Sequence, residues 1–189
     1  MAKQRIALDM DEVIADVRPK LLDAFEQLMG WRPSWEEYAG KKIYDLAGAA
    51  ELRNVLHTKG FFADLPVMPG SREVVRELTE DYELFIITAA MEFRYSFEDK
   101  YDWLATHFPF IPWKNIVFCG DKRIIQADYM IDDHVRNLET FRGKGLLYTA
   151  SHNLAETRFR RVNDWEEIRA FFEEEKKVHT GTQGASYSV

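Results

Sequence analysis

From Ser71 onward the chain alternates helical with strand-like stretches, and this alternation restricts the fold more than any other feature. Ser71 opens a helix carrying Val74, Val75 and Leu78 on one face, and Glu83 to Thr88 follows as an apolar strand run. Phe97, Tyr101 and Leu104 mark the next helix; Asn115 to Cys119, Tyr129 to Ile131 and Gly145 to Thr149 read as strands. Between the last two, Val135, Leu138 and Phe141 form a helix that Gly143 ends, and Asp164 with Glu167 caps a final helix bearing Trp165, Ile168, Phe171 and Phe172. Strands joined through helices cannot pair as hairpins. They lie parallel, with both faces covered by helices, and the earlier run Ile6-Ala7-Leu8 adds another. The expected class is therefore α/β, a doubly wound parallel sheet, and such sheets bind ligands beyond the carboxyl ends of their strands.

Polar residues fall at those ends. Asp9 and Asp11 follow the first strand, Thr88 ends the second, Lys122 follows the third, and Asp132 and Asp133 end the fourth. Residues two apart on extended chain share a side, so Asp9 and Asp11 can address one site. Singly, each has an ordinary structural explanation: an acidic turn, a capping Thr, a solvated acid pair, a surface Lys. Together they suit a phosphoryl group. Magnesium takes oxygen ligands, commonly one or two carboxylates plus substrate phosphate, which Asp9 and an acid of the Asp132-Asp133 pair can supply. The Thr88 hydroxyl and Lys122 ammonium can hold phosphoryl oxygens, and the cations offset repulsion between an anionic nucleophile and an anionic substrate. Cys119 has no His placed to activate it and reads as a small buried hydrophobe.

Residues 17 to 66 break the alternation. Pro19 begins a helix whose Leu21, Leu22, Phe25, Leu28 and Met29 precede Gly30, Ser34 with Glu37 fits a capping box, and Leu52, Val55 and Leu56 read as a third helix before Gly60. Trp31, Trp35 and Tyr38 have spacing that suits core packing better than a ligand wall. The chain thus divides into a core, 1–16 and 67–178, and a helical insertion, 17–66; a Gly-, Ser- and Thr-rich tail, 179–189, is expected to be disordered.

Composition narrows the partners. A formal charge of -7 with scattered Lys and Arg argues against a nucleic acid polymer, while a small phosphorylated ligand needs only local cations. One cysteine allows no intrachain disulfide, the opening residues carry no signal-like apolar region, and no apolar run reaches membrane-spanning length. A cytoplasmic setting without membrane contact is the expectation.

Asp9-Met10-Asp11-Glu12-Val13-Ile14-Ala15-Asp16, Ile87-Thr88-Ala89, Asp121-Lys122 and Ile131-Asp132-Asp133 resemble the four motifs of the haloacid dehalogenase-like (HAD) phosphatase superfamily. From about Arg5 to the last helix the chain resembles, more narrowly, the 5'(3')-deoxyribonucleotidase family, with further matches at Gly60-Phe61-Phe62-Ala63-Asp64-Leu65, Pro69-Gly70 and Thr149-Ala150-Ser151-His152-Asn153. The resemblance implies a Rossmann-like core with a small helical cap after the first strand. It makes Asp9 the nucleophile and Asp11 the general acid and base. Asp9, the backbone carbonyl of Asp11, and Asp133 would bind Mg2+, with Asp132 in support, while Thr88 and Lys122 would grip phosphate. A homodimer is compatible with it. Two positions depart from the animal members: Glu12 replaces a common Gly, and Ala89 replaces a common Ser, leaving only its amide for phosphate. Around the base and sugar, the aligned positions are Val17, Tyr44 and Leu56, with Phe61 beside them. The leading expectation is a nucleotidase; a phosphatase of sugar phosphates or other small phosphoesters, a phospho-receiver and a non-catalytic nucleotide-binding module are the alternatives.

Overall fold

In the computed structural model, backbone is described for residues 2–183 and side chains through Val178. Strands β1 (Arg5–Leu8), β2 (Glu83–Thr88), β3 (Ile116–Phe118), β4 (Tyr129–Asp132), β5 (Lys144–Tyr148) and β6 (Arg160–Val162) form one sheet in the order β3-β2-β1-β4-β5-β6. Every pairing is parallel. Helices α1 (Arg18–Met29), α2 (Trp35–Tyr38), α3 (Ser71–Asp81), α4 (Ser96–His107), α5 (Val135–Glu139) and α6 (Trp165–Gln183) complete the α/β fold.

The order reverses between β1 and β4, so a crevice opens where the two strands' chains depart in opposite directions. Asp9 follows one of these strands, and Asp132 ends the other. Their middles carry Ile6, Leu8 and Ile131 with no exposed surface, as a centrally placed, two-face-covered strand requires. The sixth strand is absent from the sequence reading. Its residues are Arg160-Arg161-Val162, and an edge strand this short and charged has too little apolar pattern to be seen.

The inserted segment is less helical than expected. The stretch around Leu52 and Leu56 is a 3-10 helix, Ala50–His57, preceded by a 3-10 turn at Ile43–Asp45. α1 starts as anticipated with Pro at its first turn and ends at Gly30, whose φ of 77° places it in the left-handed region while its N–H reaches Glu26 O at 2.9 Å. Trp31 and Trp35 are 42% exposed, so the core role expected of them does not hold; Tyr38 is buried. Each tryptophan turns an edge contact to a neighbouring ring, Trp31 to Phe25 and Trp35 to Tyr38, and leaves the rest to solvent.

The segment enters and leaves the core through one neck. Asp16 N donates to Pro66 O and Met68 N to Ile14 O, each at 2.8 Å, and Ala15 pairs antiparallel with Val67. Two buried indoles fasten this neck: Trp165 Nε1 donates to Val13 O at 2.9 Å and Trp103 Nε1 to Leu65 O at 2.8 Å. One apolar cluster runs from Met10 and Val13 through Leu21, Phe25, Ile43 and Leu52, so the insertion is packed onto the sheet's carboxyl end rather than suspended above it. At the far end, Asp164 caps α6 by accepting from Glu167 N at 2.9 Å. α6 continues to Gln183, past the expected start of a disordered tail; residues 184–189 lie outside the described residues. Among the described residues no helix is long and apolar enough to cross a membrane.

Candidate active site

Asp9 and Asp11 flank Met10, which is fully buried, and both acids line a single cavity of about 330 Å³. The loop is held tightly: Asp9 N donates to Ile131 O at 2.9 Å, and the N–H groups of Ile14 and Ala15 both reach Met10 O. Glu12, directly after, takes a φ of 62°, the one non-glycine residue with positive φ among those described. A left-handed residue costs about 1 kcal/mol or more in strain. That cost is borne in the turn after Asp11, where Glu12 N donates to Ala15 O at 2.8 Å.

Asp9 Oδ1 accepts from Met10 N at 2.8 Å and pairs with Lys122 Nζ at 2.7 Å. The same ammonium lies 2.7 Å from Asp132 Oδ2. Lys122 is positioned by its neighbour: Asp121 caps the 3-10 turn Lys122–Ile124, accepting from Arg123 N at 3.1 Å, and stays exposed while Lys122 turns inward. Burial opposes the Lys122 charge, but Asp9 and Asp132 outweigh it and raise its proton affinity. Asp9 is itself held well above the ordinary carboxylate range, first by burial, then, against Lys122, by Asp132, Asp133 and Asp11. The site carries more negative charge than its lysines neutralise.

A residue that the sequence reading passed over completes the arrangement. Lys100, on α4, is 1% exposed; its Nζ lies 2.5 Å from Asp11 Oδ2, donates to Thr88 Oγ1 at 3.0 Å and stands 4.6 Å from the Phe62 ring centroid. Its signal was available, because Ser96, Lys100, Trp103 and Leu104 form the buried face of α4 and a lysine in that stripe calls for a partner. Lys100 occupies Asp11 Oδ2, whereas Asp11 Oδ1 is buried without a hydrogen-bond partner. Thr88 is fully buried behind Lys100; its neighbour Ala89 lines the cavity.

At the end of β4 the two acids divide. Asp132 is buried beneath the cavity, accepting from Lys122, from His134 N at 2.8 Å and from Asn137 Nδ2 at 3.0 Å through each oxygen. Asp133 faces the cavity, with its Oδ2 3.0 Å from His134 Nδ1 and 3.4 Å from His152 Nε2. Against burial, His134, His152 and Lys122 hold Asp133 below the usual range. Burial and the facing His134 and Lys42 lower His152 to about 4, despite Asp133, whereas Asp133 raises His134 against its burial. Asn153 ties this end down, donating to Asp133 O and Tyr148 O, each at 2.8 Å.

The insertion builds the opposite wall. Val17, Tyr44 and Leu56 line the cavity, with Leu21, Ile43, Phe62 and Phe93. Phe61 does not. It is 5% exposed and sits under the Lys20 ammonium at 5.2 Å, because the turn after Gly60 sends successive side chains apart and gives the wall position to Phe62. Lys42, Arg53 and Arg136 add cations that the sequence reading did not place there.

The donor set fits a hard divalent cation. Ligand oxygens of Asp9, Asp132 and Asp133 lie within 4.8 Å of one another, two of the three acids being buried in the fold. Carboxylate oxygens crowded beyond their own counter-charge are what Mg2+ satisfies.

These features define a class. A HAD family hydrolase from Deinococcus radiodurans, solved with bound phosphate and sodium, superposes with a TM-score of 0.60 at 14% identity, covering 91% of this chain and 96% of that one. A Bacillus subtilis structure described as a HAD-hydrolase bound to magnesium gives 0.56 at 14%, covering 92% and 100%. The fold is thus HAD-like. The model of the family "5' nucleotidase, deoxy (Pyrimidine), cytosolic type C protein" matches residues 3–177. The 5'(3')-deoxyribonucleotidase of Bacillus subtilis strain 168 is 38% identical over 169 residues, 88% of this chain and 96% of that protein. A Staphylococcus epidermidis protein provisionally given the same name is 44% identical over 174 residues, 91% and 97% of the two chains. The chain belongs to the 5'(3')-deoxyribonucleotidase family, and so to the phosphoric monoester hydrolases.

Proposed function

We propose that the protein is a Mg2+-dependent nucleotidase that hydrolyses deoxyribonucleoside 5'- or 3'-monophosphates to nucleoside and phosphate. Residues 17–66 act as the cap over a catalytic core of residues 1–16 and 67–178. The observation that carries this reading is the pairing of two acids with two lysines over one cavity: Asp9 with Lys122 and Asp11 with Lys100.

In this mechanism both contacts of Asp9 fall on Oδ1, so Oδ2 attacks phosphorus and the ester P–O bond breaks. Asp11 Oδ1, unpartnered, delivers a proton to the departing nucleoside oxygen, then as carboxylate removes one from the water that hydrolyses the aspartyl-phosphate. Lys100 fixes the Asp11 carboxyl through its other oxygen and with it the direction of that proton. Lys122 and the Ala89 amide face the phosphoryl oxygens; the buried Thr88 hydroxyl supports Lys100. Asp9, Asp133 and the Asp11 carbonyl, with Asp132 behind, would hold Mg2+, which would supply positive charge against the phosphoryl oxygens.

Val17, Leu56 and Phe62 are the proposed sugar wall, and Tyr44 a stacking surface for the base. The cations Lys42, Arg53 and Arg136 favour a second reading, a phosphatase of substrates with a further anionic group. The proposed setting is the cytoplasm, in keeping with one buried cysteine and no disulfide.

Phosphate release across 5'- and 3'-deoxyribonucleotides, their ribose counterparts and sugar phosphates, with Mg2+ or chelator, tests the assignment. Release should require Mg2+ and disappear in Asp9→Asn. A sugar phosphate with a further anionic group outperforming every nucleotide moves the assignment to the second reading, and no release at all leaves a binding module.

A further inference from the structure

Outside the oxygen-rich magnesium position, a second group of ligand atoms converges on the other face of Asp133. His134 Nδ1 lies 3.0 Å from Asp133 Oδ2, His152 Nε2 lies 3.4 Å from the same oxygen, and the two ring nitrogens are 3.2 Å apart. Protons can serve at most two edges of this triangle: with both rings donating to Asp133 Oδ2, two N–H groups are left facing each other across 3.2 Å. A tetrahedral metal with bonds of about 2.0 to 2.1 Å has ligand–ligand edges of roughly 3.3 Å. The triangle has nearly those edges, and its imidazole–imidazole–carboxylate composition is that of borderline transition metals rather than Mg2+. The rings are set by the fold: His134 follows β4, and its N–H is held by Asp132; His152 lies in the 3-10 turn Ser151–Asn153, anchored where Asn153 bonds Asp133 O and Ser151 Oγ bonds Lys41 O.

We propose that Asp133, His134 and His152 form a binding site for a zinc-like divalent transition metal, distinct from the magnesium position but sharing Asp133 with it. Because one carboxylate serves both, and two dications on it repel, each metal weakens the other. The histidine site thereby offers a route by which a transition metal withdraws Asp133 from magnesium.

Lys42 guards the site. Its Nζ lies 3.0 Å from His134 Nε2, and an ammonium can only donate there, which keeps the His134 proton on Nδ1, facing Asp133. Metal binding at Nδ1 needs the opposite tautomer, with Nε2–H donating outward. A Gln at position 42 offers an acceptor for that N–H and removes a positive charge, so Lys42→Gln should tighten transition-metal binding. Partners of this kind typically alter metal affinity 10- to 100-fold.

Cobalt(II) is the probe, because its visible absorption is intense in four-coordinate and weak in six-coordinate sites, and the readout needs no turnover. Titrated into the full chain, Co2+ should develop the four-coordinate bands, Mg2+ should raise the Co2+ concentration required, and Lys42→Gln should lower it roughly 10-fold or more. The single variants His134→Gln and His152→Gln, checked for native circular dichroism, should lose the bands. A weak six-coordinate spectrum, or bands that survive both histidine replacements, would overturn the site and place the ion among the oxygens of Asp9, Asp132 and Asp133. Unchanged affinity in Lys42→Gln would overturn the guarding role. None of these signals involves a phosphoester, so the cobalt bands and their loss in the histidine variants stand apart from the nucleotidase reading; only the Mg2+ competition rests on it, and failure of that arm alone removes the shared Asp133 and not the histidine site.

Discussion

Replacing Glu12 with Gln should make the metal-free protein less sensitive to alkaline pH. Glu12 lines the cavity, and burial, reinforced by Asp133, Asp16 and Asp11 against Arg18, raises its pKa from 4.5 to about 8. The folded chain therefore keeps a proton that the unfolded chain releases. This contribution is fully present below 4.5 and is lost as pH rises to about 8. Each pH unit inside the window is about 1.4 kcal/mol for one proton, so from pH 6.5 to 8 the loss reaches about 2 kcal/mol. Solvent in the cavity screens part of it, leaving about 1 to 2 kcal/mol. His152 acts in the opposite sense, its pKa depressed to about 4, but its window closes at 6.5 and does not overlap. The assay is thermal or urea unfolding in chelator at pH 6.5 and 8, wild type beside Glu12→Gln. In a chain of 189 residues the stability gap should widen with pH by the equivalent of about 2 to 8 °C in Tm. Asp9 also titrates upward in both proteins, so only the difference between them reports Glu12. Parallel curves, with the gap unchanged to within about 0.5 kcal/mol, would refute the reasoning.

Asp11→Asn should keep Mg2+ affinity, because its proposed metal contact is the backbone carbonyl, yet lose about 100- to 10,000-fold in kcat; loss of Mg2+ affinity as severe as in Asp133→Ala would merge roles kept apart here. Lys100→Met should lower kcat about 10-fold or more by freeing the Asp11 carboxyl, and its pH–rate profile should shift with it; a rise in KM alone would make Lys100 a substrate contact instead. Burying a 2'-hydroxyl against Val17, Leu56 and Phe62 costs about 1 to 3 kcal/mol, so kcat/KM for dUMP should exceed that for UMP roughly five- to 150-fold, and Phe62→Ala should narrow the ratio while Phe61→Ala should not. Equal efficiency on UMP would reject the apolar sugar wall.

The parallel sheet was legible in the sequence because its central strands are continuous apolar runs, and the acids were legible because each sits at the end of one. Where side chains are placed by turns rather than by period, the reading thinned. Phe61 and Phe62 are adjacent, equally aromatic and equally buried, and only the path of the turn after Gly60 decides which meets the cavity. Trp31 and Trp35 had helical spacing but lie around the end of α1 and the start of α2, where the chain changes direction and the period carries no facing information. Lys100 was missed for a different reason. A lysine is ordinarily assigned to solvent, and its burial depends on Asp11, 89 residues away in sequence.

The paired backbone at Asp16–Pro66 and Ile14–Met68 gives the molecule a seam. Because the two ends of residues 17–66 leave side by side, the chain between them could be exchanged for one of another length without changing the spacing of β1 and α3, and closing a longer loop costs little more. The wall of the cavity and the acids at its floor could then vary separately, one by rewriting the insertion, the other held constant beneath it. The exchange has one condition, set by the apolar cluster that crosses the seam: any replacement must bring its own counterparts of Leu21, Phe25, Ile43 and Leu52 to cover Met10 and Val13. A replacement therefore has to carry a hydrophobic underside with it, and a graft trimmed to the cavity-facing residues alone would leave the loop of Asp9 and Asp11 open to water.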